Sequence, residues 1–421
     1  MLIFVSIEDK QAMKKQLTTT LILLSLILNL QAGRKPDSQI DSIVKDGISK
    51  RAFPGCQVLV MKDGKTIYDK CFGTYTYESK QKVHPTTMYD LASLSKTSAT
   101  LLAIMKLYDE GKLKLTDRAS QYLPFLRGTD KESLTITDLL LHETGLPGSL
   151  FFYRSVLEKG GKRFKPGQVS TTSNAEFSLK IADSIYLSSR FRADAMQMIA
   201  NARLNAKTFV YSCVNFILLK EIAESISGTS LDRYLDRTFY QPMKLKQTAF
   251  CPLITHPKED IAPTIKNDIL RNGMIQGYVH DPDAAFLGGV SGNAGLFSTA
   301  REVAKIHQML LNLGTLDGRR YLSEETCRIF TTTTSENGRR GLGFDKPNTI
   351  DPNSNPCSAL APAEMYGHTG YTGTACWVDP VNKLIIVFLS NRTYPDDGMN
   401  RLARLKIRPK IQDAIYQSLK K

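Results

Sequence analysis

The chain has 421 residues, 42% of them hydrophobic and 23% charged, an ordinary globular composition and long enough to bury a large core in one two-lobed unit or two intimate domains. Its net charge of +14 is scattered rather than clustered, stays at +13 without Met1–Ala32, and comes with no nucleic-acid-binding motif, so no nucleic-acid partner is expected. Seven Cys (56, 71, 213, 251, 327, 357 and 376) and six His are widely and irregularly spaced, matching neither a zinc site nor a disulfide scaffold, and no metal is expected.

The amino terminus reads as an export signal. Lys14-Lys15 precedes the apolar run Leu17–Leu30, and Gln31-Ala32-Gly33 supplies a small-residue cleavage point. Fourteen residues are short for a bilayer, so residues 1–32 are expected to be removed rather than to form a stable membrane span. Met13 sits just before the basic pair, which makes 1–12 a candidate over-called start. No Cys follows the run, which disfavours a lipid anchor and makes a periplasmic protein the expectation.

After the linker 33–37, residues 38–421 read as one domain. Ser38–Ser49 has the pattern of an amphipathic helix, and the Lys62-Asp63-Gly64 turn joins strands expected at Cys56–Met61 and Thr66–Asp69. A helical lobe is expected over about 116–285, with segments at Leu134–His142, Ser178–Ala206, Phe216–Ser227 and Leu231–Tyr240. Strands return at Gly373–Val378 and Leu384–Ser390, and Leu402–Leu419 closes the chain as a helix. The fold class expected is α+β: an antiparallel sheet built from both chain ends, flanked by helices, with an inserted helical lobe and a site between the two.

The tetrapeptide Ser-x-x-Lys occurs four times, at Ser42, Ser79, Ser93 and Ser418. Only Ser93 opens a core-facing helix, with Leu101, Leu102, Met105 and Tyr108 at helical spacing. Residues three apart share a helix face, so the Lys96 ammonium can ease ionisation of the Ser93 hydroxyl, whereas Ser95 is rotated away. Tyr211 stands at a loop-to-helix junction in Thr208–Cys213. His368-Thr369-Gly370 begins the late hairpin, and Ser291–Thr299 is a glycine-rich loop leading into a helix. That loop lacks the Gly-Lys-Ser/Thr ending of a phosphate cradle.

The order Ser93-x-x-Lys96, Tyr211-Ser212-Cys213, His368-Thr369-Gly370 resembles the serine β-lactamase and penicillin-binding-protein superfamily, class C and DD-peptidase branch, from about Asp37 to Leu419. Leu139–Pro147 is similar to a stretch of that family, and Gly277–Pro282 with the Gly288–Thr299 loop, and Ser390-Asn391-Arg392, resemble its subgroup of low-molecular-mass DD-carboxypeptidases. The resemblance implies a β-lactamase/transpeptidase-like fold and a serine hydrolase that needs no cofactor. Ser93 is implied as nucleophile forming an acyl-enzyme, Lys96 as acceptor or relay of its proton, and Tyr211 as general base and acid. His368 would bond Tyr211 or a substrate carboxylate, and the backbone amides of Ser93 and Tyr371 would form the oxyanion hole. Cys213, Thr369 and Gly370 fall at substrate-binding positions.

Two positions depart from the family. Cys213 stands where an Asn normally holds the substrate's amide, and a thiol is a weak donor and acceptor. Asn293 replaces a His frequent in the glycine loop. Bland readings compete throughout: Ser93 as a helix cap, Lys96 as a solvated charge, Tyr211 as a core aromatic, and His142 and His280 as packing or loop-pinning residues. The expected function is an exported DD-carboxypeptidase-like or β-lactamase-like hydrolase acting on a small peptide, β-lactam or ester, with peptidoglycan as a candidate partner. The alternatives are a small-ester esterase, favoured by Cys213, or a slow penicillin- or peptidoglycan-fragment-binding protein.

Overall fold

The computed structural model describes residues 36–336, 339–348, 351 and 355–419. The expected export segment 1–32 and linker residues 33–35 lie outside them.

Both chain ends build one five-stranded sheet. Spatially it runs Tyr366–Thr369, Ala375–Asp379, Leu384–Ser390, Gly55–Lys62, Lys65–Gly73, and every neighbouring pair is antiparallel. Within Leu384–Ser390 the first six residues are apolar without interruption because both faces of the strand are covered. Ile385, Val387 and Leu389 enter the large core shared with the helical lobe. Leu384, Ile386 and Phe388 enter a second core with Ile40, Val44, Ile411 and Ile415, from helices Pro36–Ser49 and Ile407–Leu419. The carboxyl-terminal helix is broken from a short turn Arg401–Arg404 at Lys406, whose φ of 51° ends it.

The segment 116–285 is mixed rather than helical. Where one helical stretch was expected over Ser178–Ala206, a hairpin of Phe177–Ala182 and Ile185–Ser188 precedes a shorter helix, Phe191–Asn201. The physical reason is the turn at Asp183-Ser184, where Ser184 takes a φ of 55°, between two short runs of alternating burial. Elsewhere the expected helices occur with shifted ends. Cys213–Ser227 starts earlier than expected, and Ile136–Leu141 is set by a capping box between Thr135 and Asp138. Among the described residues no helix is long and apolar enough to cross a membrane.

The large core holds the lobe against the sheet, and the site lies at that junction. Phe388 packs on the opposite face, edge-on to Phe53 with ring centroids 5.3 Å apart. Phe388→Ala is therefore expected to cost about 3–5 kcal/mol of stability in urea unfolding, as buried aromatic truncations do, while leaving the face of the sheet that meets the large core in place.

Candidate active site

The chain reaches the site through a tight turn. Ala92 adopts a left-handed φ of 47°, an uncommon conformation for a residue with a side chain. Its amide donates to the buried Asp90 carboxylate at 2.8 Å, which also accepts the His280 amide at 2.6 Å. Burial pushes the Asp90 carboxyl up to about 6 against the pull of those two amides. Ser93 follows at once, half-buried, and Lys96 begins a single π-helical turn, Lys96–Thr100, that runs into helix Leu101–Asp109.

Lys96 is fully buried and donates to Ser93 Oγ at 3.0 Å and to the Asn293 carbonyl at 2.9 Å, with Cys213 Sγ at 3.6 Å. Its Nζ also sits 5.0 Å from the centroid of the Tyr211 ring. Burial opposes the charge, but Cys213 and Tyr211 outweigh it and hold Lys96 above the ordinary lysine value. An ammonium donates to the serine oxygen and favours its alkoxide; it cannot accept the serine proton until it has lost one of its own. Ser95, by contrast, is wholly buried and accepts the Leu296 amide at 3.0 Å, a structural bond on the other side of the turn.

Tyr211 is seated by a clamp from the Leu139–Pro147 region. His142 Nδ1 accepts the Ser212 amide at 3.1 Å, its carbonyl accepts the Val210 amide, and its ring lies 4.8 Å from that of Tyr211. Ser212 Oγ donates to the Pro147 carbonyl at 2.6 Å, and the Cys213 amide donates to Gly148. His142 is thus the packing and loop-pinning residue expected of it. Asn215 is buried, accepts from Thr144 at 2.9 Å and approaches His142, so it is committed to the clamp and does not replace the missing amide at 213. Burial pushes the Tyr211 phenol up, against the pull of Lys96 and Arg340, and burial likewise raises the Cys213 thiol.

The late hairpin is pinned to the turn before Ser93. Thr372 and Thr374 donate their hydroxyls to the carbonyls of Asp90 and Leu91, both at 2.7 Å. The approach requires glycine: a Cβ at Gly370 would sit 2.3 Å from the Leu91 carbonyl oxygen and 2.0 Å from Thr374 Oγ1. This brings Thr369, Gly370 and Tyr371 to the cleft that holds Ser93 and Tyr211, about 380 Å³ in volume. His280 stacks on Tyr371 with centroids 5.7 Å apart.

His368 is buried, with its ring 5.9 Å from that of Tyr211. Its Nδ1 lies 2.7 Å from the Thr369 carbonyl, which can only accept, so Nδ1 carries the proton and Nε2 is a bare acceptor. Burial, with Arg340 and Lys96 nearby, pushes the imidazole down to about 3, so the ring is neutral throughout the working pH range. Of the two partners expected for it, a neutral acceptor suits the Tyr211 hydroxyl; a carboxylate finds no positive charge there.

Sequence reading missed the cation that stands nearby. Arg340 is buried, with its guanidinium 4.9 Å from the Tyr211 ring centroid and paired with Asp345 at 3.1 Å. The adjacent pair Arg339-Arg340, set between a polar turn and Gly341, was the only signal available. Asn293, whose role the sequence left open, contributes its carbonyl to Lys96 and ties its side chain to Ser291 and Asp281. Among the described residues no cluster of His, Cys, Asp and Glu could hold a metal ion, and no cysteine is disulfide-bonded.

The family model named Beta-lactamase matches residues 40–408. The chain belongs to the β-lactamase family. It is 33% identical over 370 residues to an Escherichia coli K12 protein named "Putative D-alanyl-D-alanine carboxypeptidase", covering 81% of this chain and 79% of that one. A Salmonella agona protein of the same name is 32% identical over 412 residues, 87% of this chain and 88% of its own. Among solved structures, EstCE1, described as a hydrolase with promiscuous acyltransferase activity, superposes with a TM-score of 0.65 at 19% identity, over 90% of this chain and 98% of its own. A class C β-lactamase superposes with 0.63 at 19%, over the same shares. At such identities the likeness concerns the fold, which is the β-lactamase/transpeptidase one anticipated.

Because burial holds the Tyr211 phenol above its ordinary value, its phenolate grows in only as pH rises. Arg340 favours the phenolate, so Arg340→Gln is expected to raise the Tyr211 pKa further. The rising limb of the pH–rate profile on an activated ester then moves to higher pH, whereas a merely structural change lowers the rate equally at all pH values.

Proposed function

We propose that the protein is an exported serine hydrolase that forms an acyl-enzyme through Ser93, DD-carboxypeptidase-like or β-lactamase-like in its chemistry. The observation that carries this reading is a half-buried serine hydroxyl 3.0 Å from a fully buried ammonium, at the floor of an open cleft. In the proposed cycle Ser93 Oγ bonds the substrate's acyl carbon while its proton passes to the ionised Tyr211. Lys96 favours the developing alkoxide and relays charge between the two. The amides of Ser93 and Tyr371 are the proposed oxyanion donors, each worth on the order of a hundredfold in rate. Tyr211 then protonates the leaving group, and returns as base to the water that cleaves the acyl-enzyme. Support comes from family membership and from the relatives named as carboxypeptidases. The amino-terminal pattern supports export to the periplasm, with cleavage after Ala32 as the outcome expected from amino-terminal sequencing of the mature protein.

A second reading, a preference for esters, is favoured by Cys213. Its thiol packs toward Lys96 and offers no paired amide donor and acceptor to a substrate's acylamino group. EstCE1, a structural neighbour, is a hydrolase with acyltransferase activity, so ester chemistry is compatible with the fold.

Intact mass after treatment with a fluorophosphonate or a penicillin tests the nucleophile. Ser93→Ala is expected to abolish the adduct and Ser95→Ala to retain it; an undiminished adduct on Ser93→Ala overturns the assignment. A stable penicillin adduct without turnover would identify a binder, and ester cleavage without any penicillin adduct an esterase.

Cys213→Asn distinguishes amide from ester preference. A neutral hydrogen bond contributes about 0.5–1.5 kcal/mol, up to roughly tenfold. The ratio of kcat/KM on a penicillin or acetylated D-Ala-D-Ala peptide to that on an aryl ester is expected to rise by about that factor. A flat ratio in a folded variant places Cys213 outside substrate contact.

A further inference from the structure

A second cavity, about 270 Å³ in volume, shares no lining residue with the cleft at Ser93. The hairpin strand Phe177–Ala182 contributes Leu179 and Ile181 to it, and the turn Pro252–Ile254 contributes Leu253. Phe297 and the backbone of the Gly288–Thr299 loop complete an apolar lining. The Cys251 thiol faces the same space, where it donates to the Gly288 carbonyl at 3.5 Å and burial pushes it up to about 11. Ile254, also on the lining, is 82% exposed, so apolar surface continues from the cavity to the outside. Charge enters at one point. Lys180 is the single charged side chain on the lining; it is exposed, with its Nζ 5.8 Å from the Tyr278 ring centroid. Asp183, in the turn of the same hairpin, accepts from Lys258 at 3.1 Å and from the Tyr278 hydroxyl at 2.7 Å. One carboxylate thus stands among two lysines, and among the described residues Lys180 has no acid within ion-pair distance.

Apolar walls open to solvent are stabilised by apolar matter that leaves water to cover them, and a cation at the mouth selects an anion. At about 30 Å³ per water-sized group the space takes roughly nine non-hydrogen atoms, which is one short unbranched chain. We propose that this cavity is a binding site for a medium-chain aliphatic carboxylate, with the chain between Leu179, Leu253 and Phe297 and the carboxylate at Lys180. A free acid fits and a membrane phospholipid does not, because the volume holds a single short chain and one lysine meets a single charge. The site is independent of the reaction at Ser93 and stands whether or not the protein is a hydrolase.

Calorimetric titration of the protein with carboxylates of increasing length tests the cavity. Each methylene withdrawn from water contributes about fourfold in affinity, so octanoate is expected to bind about tenfold more tightly than hexanoate. Dodecanoate is expected to bind no more tightly than octanoate, because the space is then full. No saturable octanoate binding, or an affinity that keeps climbing with chain length, overturns the proposal. Alkylation of Cys251 by N-ethylmaleimide, followed by peptide mass, locates the ligand. Octanoate is expected to slow it in proportion to occupancy, and octanoate that binds without protecting Cys251 lies elsewhere and overturns the site. Vesicles of phosphatidylglycerol are expected to leave that alkylation unchanged; protection by them overturns the assignment to a free acid. Leu179→Trp fills the cavity from a strand position that suits an aromatic side chain, and is expected to abolish octanoate binding with the circular dichroism kept. Lys180→Gln changes only an exposed side chain, and is expected to lower the ratio of octanoate to octanol affinity by about two- to fivefold at low ionic strength. A ratio that Lys180→Gln leaves unchanged, or full octanoate binding by folded Leu179→Trp, overturns the site.

Discussion

An ammonium group with no exposed surface has to be surrounded by acceptors, and at Lys96 these come from distant parts of the chain. Ser93 supplies its hydroxyl from the preceding turn, Asn293 a backbone carbonyl from the glycine loop, and Tyr211 and Cys213 the head of another helix. Leaving such a charge unpaired would cost several kcal/mol, so the lobe, the loop and the sheet are held to one geometry around it. The bond from Thr100 to the Gly292 carbonyl reinforces the same docking one helical turn later. The geometry around Ser93 and the stability of the fold therefore rest on the same interaction at this point.

The electrostatics around that centre are unevenly divided. On the Tyr211 side stand a neutral, buried His368 and a buried Arg340, so a residue outside the three family motifs adds its positive charge to that of Lys96 near the phenol. The histidine donates its Nδ1 proton to the Thr369 carbonyl and presents only a lone pair to the cleft. Arg340 is fixed by Asp345, itself bonded through the backbone to Gly367 in the strand that carries His368. Charge and acceptor are thus delivered to Tyr211 by two neighbouring segments locked to each other.

Close approach of backbones is the second constraint. The hairpin after His368 can reach the turn before Ser93 only because Gly370 has no side chain, and Thr372 and Thr374 then fix the distance. On the other flank a Cβ at Gly292 would lie 1.9 Å from the Phe216 carbonyl oxygen, so the glycine loop meets the Tyr211 helix in the same way. These contacts bury backbone polar groups that are satisfied across, rather than within, secondary-structure elements.

The sequence by itself determined the sheet and singled out Ser93. The strand Leu384–Ser390, the Asp-Gly turn, the amphipathic helix near the amino terminus and the closing helix were legible because period and turn chemistry are local properties. Ser93 was separable from Ser42, Ser79 and Ser418 because helical periodicity after it was local too, and the 3.0 Å contact with Lys96 follows from three-residue spacing. The hairpin at Phe177–Ser188 was not legible, because short runs with helical and strand character compete until packing selects one. Nor was Arg340, for a different reason. A surface arginine and an arginine aimed into a cleft have the same local sequence, and only tertiary packing decides whether a carboxylate stands beside it.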